Sequence, residues 1–263
     1  MFRTSEISDP QYASNNLRFI TVKSQQLKGR GDICVFVPPL DNLNEVSLVI
    51  LLHGVYGSSW AWSQKGGVHV TAWEMMQKGL IKPMVIAMPS DGLWGDGSGY
   101  MPHADKNYEK WIVEDVPNAV MQHLPMVTAK SAHYIAGLSM GGFGALRLGV
   151  KYSEIFSAAC GHSSITSLDQ MQLFVEESIE EYLQEDKTEN SVFGIIQKNT
   201  NRLPRIRFDC GTEDPLLDHN RLLHQQLLKN NLEHIYEEFA GGHEWAYWEE
   251  HIKKTLLFFE GIH

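Results

Sequence analysis

The chain has 263 residues, enough to bury a sizeable core without metals or disulfides, so one large α/β domain is the expected organisation. Hydrophobic residues make up 43% and charged residues 21%, which excludes a disordered chain. The net charge of −10 opposes phosphate backbones and anionic lipid, so neither nucleic-acid nor membrane binding is expected as the main task.

Residues 1–16 are polar and lack the apolar centre of a signal peptide. No apolar run approaches the ~20 residues that span a bilayer. Cys34, Cys160 and Cys210 fall in or beside predicted strands, where buried free thiols are the default. Together these point to a cytoplasmic protein, unless a leader has been removed ahead of this sequence.

Strand-like runs then alternate with helix-like ones. Residues 18–23 and 33–37 read as two early strands joined by the turn at 28–32. Residues 46–52 (VSLVILL) form a continuous apolar strand, as expected where both faces are covered. Residues 84–88 form another. Trp111, Ile112, Val116, Ala119, Val120 and Leu124 share one helical face, with a kink expected at Pro117. Further strands follow at 134–136, 156–160, 206–210 and 234–239. A helix is read from Leu222, Leu223, Leu227 and Leu228, and a terminal one from Trp245, Trp248, Ile252, Leu256 and Phe259. The pattern predicts a mostly parallel sheet of about eight strands with helices on both faces, in a single domain over 1–263. Residues 166–202 interrupt the alternation with an apolar start and an acidic run, best read as two short helices inserted at the carboxyl edge of the sheet. A helical cap over a substrate cleft and a solvated acidic face are both open for it.

The most informative stretch is Gly137-Leu138-Ser139-Met140-Gly141, a G-x-S-x-G pattern between a short apolar strand and the helix-compatible run 142–150. Such an elbow lifts a serine hydroxyl to the top of a sheet, which makes Ser139 a candidate nucleophile. A serine hydroxyl needs a base, and the base a carboxylate; in this arrangement they follow in the order Ser, Asp or Glu, His. Asp214, in the loop after the strand 206–210, is the preferred acid, with Glu213 the competitor and Asp209, within the strand, less accessible. His243 is the base candidate, because among twelve histidines it alone has the right order and a loop position. The oxyanion donors are assigned to the N–H groups of Met140, directly after the serine, and Val55, in the His53-Gly54-Val55 loop after the third strand. His53 precedes the serine and is expected to shape that loop. Trp60, Trp94 and Trp245 are candidate substrate contacts. No metal site is expected: His243-Glu244 begins an H-E-x-x-H, but Tyr247 stands where the second histidine belongs. No dinucleotide or phosphate loop is found.

Leu51-Leu52-His53-Gly54, the elbow extended through Ala145, Cys210-Gly211-Thr212-Glu213-Asp214 and Gly242-His243-Glu244-Trp245 resemble the esterase family that includes esterase D. The resemblance runs from about Arg18 to the end of the chain. It implies an α/β-hydrolase fold without metal or organic cofactor, with Ser139, Asp214 and His243 as triad and Val55 and Met140 as oxyanion donors. Relatives include tributyrin-type carboxylesterases, feruloyl and acetyl-xylan esterases, S-formylglutathione hydrolases and secreted mycolyltransferases. S-formylglutathione hydrolases usually carry histidines where this chain has Leu138 and Phe143, and a cysteine where it has Gly57 and Ser58. The expected function is therefore a serine carboxylesterase for short acyl esters, acetyl or feruloyl esters of carbohydrates included, acting on a small-molecule ester. An S-formylglutathione hydrolase and a catalytically silent binding protein are the alternatives. Oligomeric state, a homo-oligomer included, is left open.

Overall fold

A strand that is apolar at every position must be covered on both faces, and the two layers of this protein do that. In the computed structural model, which describes residues 2–262, Leu48, Ile50 and Leu52 face one apolar core while Val49 and Leu51 face another. Neighbouring strands divide the same way: Val85 and Ala87 against Met84, Ile86 and Met88; Ile135 against Tyr134, Ala136 and Leu138.

The strands are β1 (Ser5–Ile7), β2 (Leu17–Ser24), β3 (Gly29–Phe36), β4 (Ser47–Leu52), β5 (Met84–Pro89), the short hairpin β6 (Pro102–His103) and β7 (Lys106–Asn107), β8 (His133–Leu138), β9 (Phe156–His162), β10 (Arg205–Gly211) and β11 (Ile235–Phe239). The central sheet has nine of them, in the order β1-β2-β3-β5-β4-β8-β9-β10-β11. The pairs from β5 to β11 are parallel, and β1, β2 and β3 are joined antiparallel at one edge. About eight strands were expected; the ninth is β1, three residues that pair with the outer edge of β2. Its composition carries no alternation that a short window can detect.

The helices are α1 (Ala61–Gln64), α2 (Val68–Gln77), α3 (Tyr108–Lys110), α4 (Val116–His123), α5 (Met140–Lys151), α6 (Val192–Lys198), α7 (Leu217–Lys229) and α8 (Trp245–Glu260). Three sequence expectations are corrected among them. Between α3 and α4 the chain forms a π-helical turn, Trp111–Asp115, so the helical run is unbroken from Tyr108 to His123 and its irregularity precedes Pro117 instead of falling at it. Proline has no N–H to give the helical ladder, and the wider π turn just before it is where the regular i→i−4 pattern gives way. In α7, Leu223 and Leu227 are buried, while Leu222 and Leu228 face solvent. Residues 166–202 hold three 3-10 turns (Leu168–Leu173, Ile179–Glu181, Lys187–Asn190) followed by α6, not two helices. Glu176 and Glu180, Glu177 and Glu181, and Glu181 and Glu185 lie four apart, so a helix would stack like charges.

Register aligns the carboxyl ends of the strands. Leu52 pairs with Gly137, Leu138 with His162, His162 with Asp209, and Gly211 with Phe239. The segments that leave β4, β8, β10 and β11 therefore converge at one edge. Among the described residues no helix is long and apolar enough to cross a membrane.

Candidate active site

Ser139 connects β8 to α5 with φ 54° and ψ −121°, a conformation that side chains other than glycine rarely adopt. The flanking glycines make it possible. A Cβ on Gly137 would lie 2.2 Å from the Gly141 carbonyl oxygen, and one on Gly141 would lie 2.4 Å from that of Leu52. The Ser139 N–H donates to the His162 carbonyl at 2.9 Å, which ties the elbow to β9.

The structure brings Ser139, His243 and Asp214 into one line. The Ser139 Oγ is 3.0 Å from His243 Nε2, and His243 Nδ1 is 2.9 Å from Asp214 Oδ2. Asp214 also accepts from the Leu216 N–H at 2.8 Å. Burial pushes its carboxyl up, but the His243 hydrogen bond and charge and the Leu216 N–H outweigh it and hold the carboxyl below the usual range. A buried carboxylate facing Nδ1 fixes the ring with Nδ1–H donating, leaving Nε2 to accept from the serine. The competitor Glu213 has an exposed side chain, and Asp209 lies buried on Arg207 at 2.6 Å.

The loop after β4 lies against the serine: a Cβ on Gly54 would approach the Ser139 Cβ to 3.3 Å. Among the described residues neither the Val55 nor the Met140 N–H has a protein acceptor. Met140 opens α5, so its N–H is one of the unpaired first-turn groups at the positive end of the helix. His53 holds the loop. Its Nε2 accepts from the Asp91 N–H at 3.1 Å, so Nδ1–H donates to the Gly54 carbonyl at 2.6 Å.

A cleft of about 310 Å³ opens beside Ser139 and His243, at the small end for ligand pockets. Trp60 and Trp245 line it, as expected from the sequence, and so do Val55, Tyr56, Phe174 and Trp248. Trp94 does not: its ring packs on His103 at 4.4 Å and on Tyr182 at 5.3 Å, under residues 166–202. Sequence reasoning missed Phe174, which stacks on the His243 ring at 5.1 Å, and read Trp248, edge-on to that ring at 5.0 Å, as core alone. Phe174 is held by the Tyr56 hydroxyl, which donates to its carbonyl at 2.6 Å. Asp96 fastens the same segment, accepting from the Glu176 N–H at 2.8 Å and donating its own N–H to Glu177 at 3.0 Å. The contacts of Phe174 and its segment join positions from 69 to 118 residues apart, and no local signal announces them.

A strained serine at a strand–helix elbow, within hydrogen-bond reach of a histidine that is itself seated on a carboxylate, defines an α/β-hydrolase-fold serine hydrolase. The family model described as "Putative esterase" matches residues 24–259. The chain belongs to that esterase family and is a carboxylic ester hydrolase. It is 26% identical over 241 residues to an acetyl esterase of Caldicellulosiruptor saccharolyticus, covering 84% of this chain and 85% of that one. Among solved structures, a ferulic acid esterase superposes with a TM-score of 0.80 at 23% identity over all of both chains. An S-formylglutathione hydrolase from Staphylococcus aureus superposes at 0.79 and 20% identity, covering 96% of this chain and 98% of that one.

Proposed function

We propose that Ser139 is the nucleophile, His243 the base and Asp214 its orienting carboxylate in the hydrolysis of short acyl esters, acetyl and feruloyl esters of carbohydrates being the favoured substrates. The observation that carries the reading is the unbroken line Ser139–His243–Asp214, with contacts of 3.0 and 2.9 Å. His243 Nε2 takes the serine proton as Oγ attacks the acyl carbon, and the imidazolium formed is stabilised by Asp214. The Val55 and Met140 N–H groups, free of protein acceptors, receive the charge that develops on the carbonyl oxygen. His243 then protonates the departing alcohol, and a water activated by the same nitrogen releases the acid. A small cleft with indole walls at Trp60 and Trp245 suits a short acyl group joined to a flat ring or sugar face. Residues 166–202, through Phe174, form one wall of that cleft and act as its cap. Three buried, unpaired cysteines fit a reducing, cytoplasmic setting.

The test is Ser139→Ala. Hydrolysis of para-nitrophenyl acetate is expected to fall by about 10⁴ or more with the fold intact by circular dichroism, and fluorophosphonate labelling to vanish. Undiminished turnover in this variant removes the proposal.

A further inference from the structure

Of the 14 residues that line the cleft, Lys65 alone carries a permanent charge, and it is a cation in a chain whose net charge is −10. Its Nζ lies 6.0 Å from the Trp60 ring centroid and 5.9 Å from that of Trp245, the two indoles of the cleft. Among the described residues no carboxylate pairs with it, so its N–H donors are free. Lys65 is exposed at the edge of the cleft, and the two ring contacts orient its ammonium without using those donors. An anion held against the cleft wall can therefore reach a free ammonium, by an attraction that salt screens.

We propose that the cleft selects esters bearing a carboxylate beyond the scissile carbonyl, with Lys65 as the residue that recognises it. The indoles of Trp60 and Trp245 then flank the part of the substrate that connects carboxylate to ester. The inference rests on the ester-hydrolase reading of Ser139 and adds the charge of the substrate to it.

Two isosteric pairs test it. Para-acetoxybenzoate against para-acetoxybenzamide carries the charge on the alcohol side. The para-nitrophenyl monoester of adipic acid against its primary amide carries it on the acyl side. The quantity read is the ratio of kcat/KM for carboxylate over amide. In the native protein this ratio is expected to exceed one for one of the pairs and to shrink as salt is raised. It should fall about ten-fold in Lys65→Met, as for loss of a charge-assisted hydrogen bond, fall further in Lys65→Glu, and survive in Lys65→Arg. A ratio identical in the native protein and Lys65→Met for both pairs overturns the proposal while leaving the nucleophile assignment standing. If the native protein hydrolyses none of these esters, or Ser139→Ala hydrolyses them equally well, the ester-hydrolase reading fails and takes this inference with it.

Discussion

Tyr247 donates a hydrogen bond to Asp209 at 3.0 Å, and this contact joins the helix behind His243 to β10, the strand next to the sheet's edge. Asp209 is wholly buried and also holds Arg207 at 2.6 Å and His162 Nδ1 at 3.0 Å. The far nitrogen of His162 lies 2.9 Å from the Thr255 hydroxyl, one turn further along the same face of α8 beyond Ile252. His162 in turn offers its backbone carbonyl to the Ser139 N–H. The loop that carries His243 and the elbow that carries Ser139 are thus referred to one buried charged cluster.

Tyr247→Phe removes only the hydroxyl and keeps the ring that packs against Gly241. Losing a donor to a buried carboxylate is expected to lower stability by about 1–3 kcal/mol. Because the loop bearing His243 starts from this anchor, kcat should drop with KM little changed. Urea unfolding and steady-state kinetics check both; full stability in the variant would show that the cluster does not depend on Tyr247.

Val55→Pro tests the Val55 N–H as the proposed oxyanion donor. The Gly57 N–H bonds to the Gly54 carbonyl at 3.3 Å, and Tyr56 has φ 56°, so Val55 is the first central residue of a turn of the type II kind. Proline suits that place, so the substitution removes an N–H with little strain. Turnover of para-nitrophenyl acetate is expected to fall about 10²–10³-fold, most of it in kcat. A melting temperature near that of the native protein with full activity retained would take Val55 out of the mechanism.

What was legible in the sequence is what depends on local spacing. The elbow is a five-residue pattern, and Asp214 and His243 follow from chain order and from loops at strand ends. The division of β4 between two cores is implicit in an uninterrupted apolar run. The missed features are non-local. β1 exists because β2 offers an edge, Phe174 reaches His243 across 69 positions of sequence, and Trp94 turns to His103 and Tyr182 rather than to the cleft. The cluster around Asp209 was invisible because Asp, Arg, His and Thr in strands and helices read as surface until their partners are known.

Stability should fall in two stages on acidification. His69 and His133 are pushed down by burial, so their neutral forms are favoured in the folded state. That contribution is complete above the unfolded value of about 6.5 and is lost as pH falls below it. Asp209, Asp214 and Glu109 are held low despite burial, by His162, His243 and Arg147 respectively. Their contribution is complete above the unfolded carboxyl values of about 4 and is lost as pH falls further, through the folded values. Urea midpoints between pH 7 and pH 3 should trace both limbs. A midpoint that stays flat from pH 7 to pH 5 would count against the histidine limb, and His133→Phe is expected to shorten it.

Phe174→Ala tests whether residues 166–202 serve the site. The Phe174 ring lies nearly parallel to the His243 imidazole, at 21°, and lines the cleft together with Trp245 and Trp248. Removing it withdraws a stacking contact of about 0.5–1.5 kcal/mol from His243, the proposed base, so kcat for para-nitrophenyl acetate is expected to fall about two- to ten-fold. The same change enlarges the cleft, so longer acyl chains should lose less than acetate, or gain. A para-nitrophenyl series from acetate to decanoate reads both effects. Equal losses at every chain length would mean that Phe174 orients His243 without bounding the acyl site; no loss at any length would leave the segment without a role in turnover.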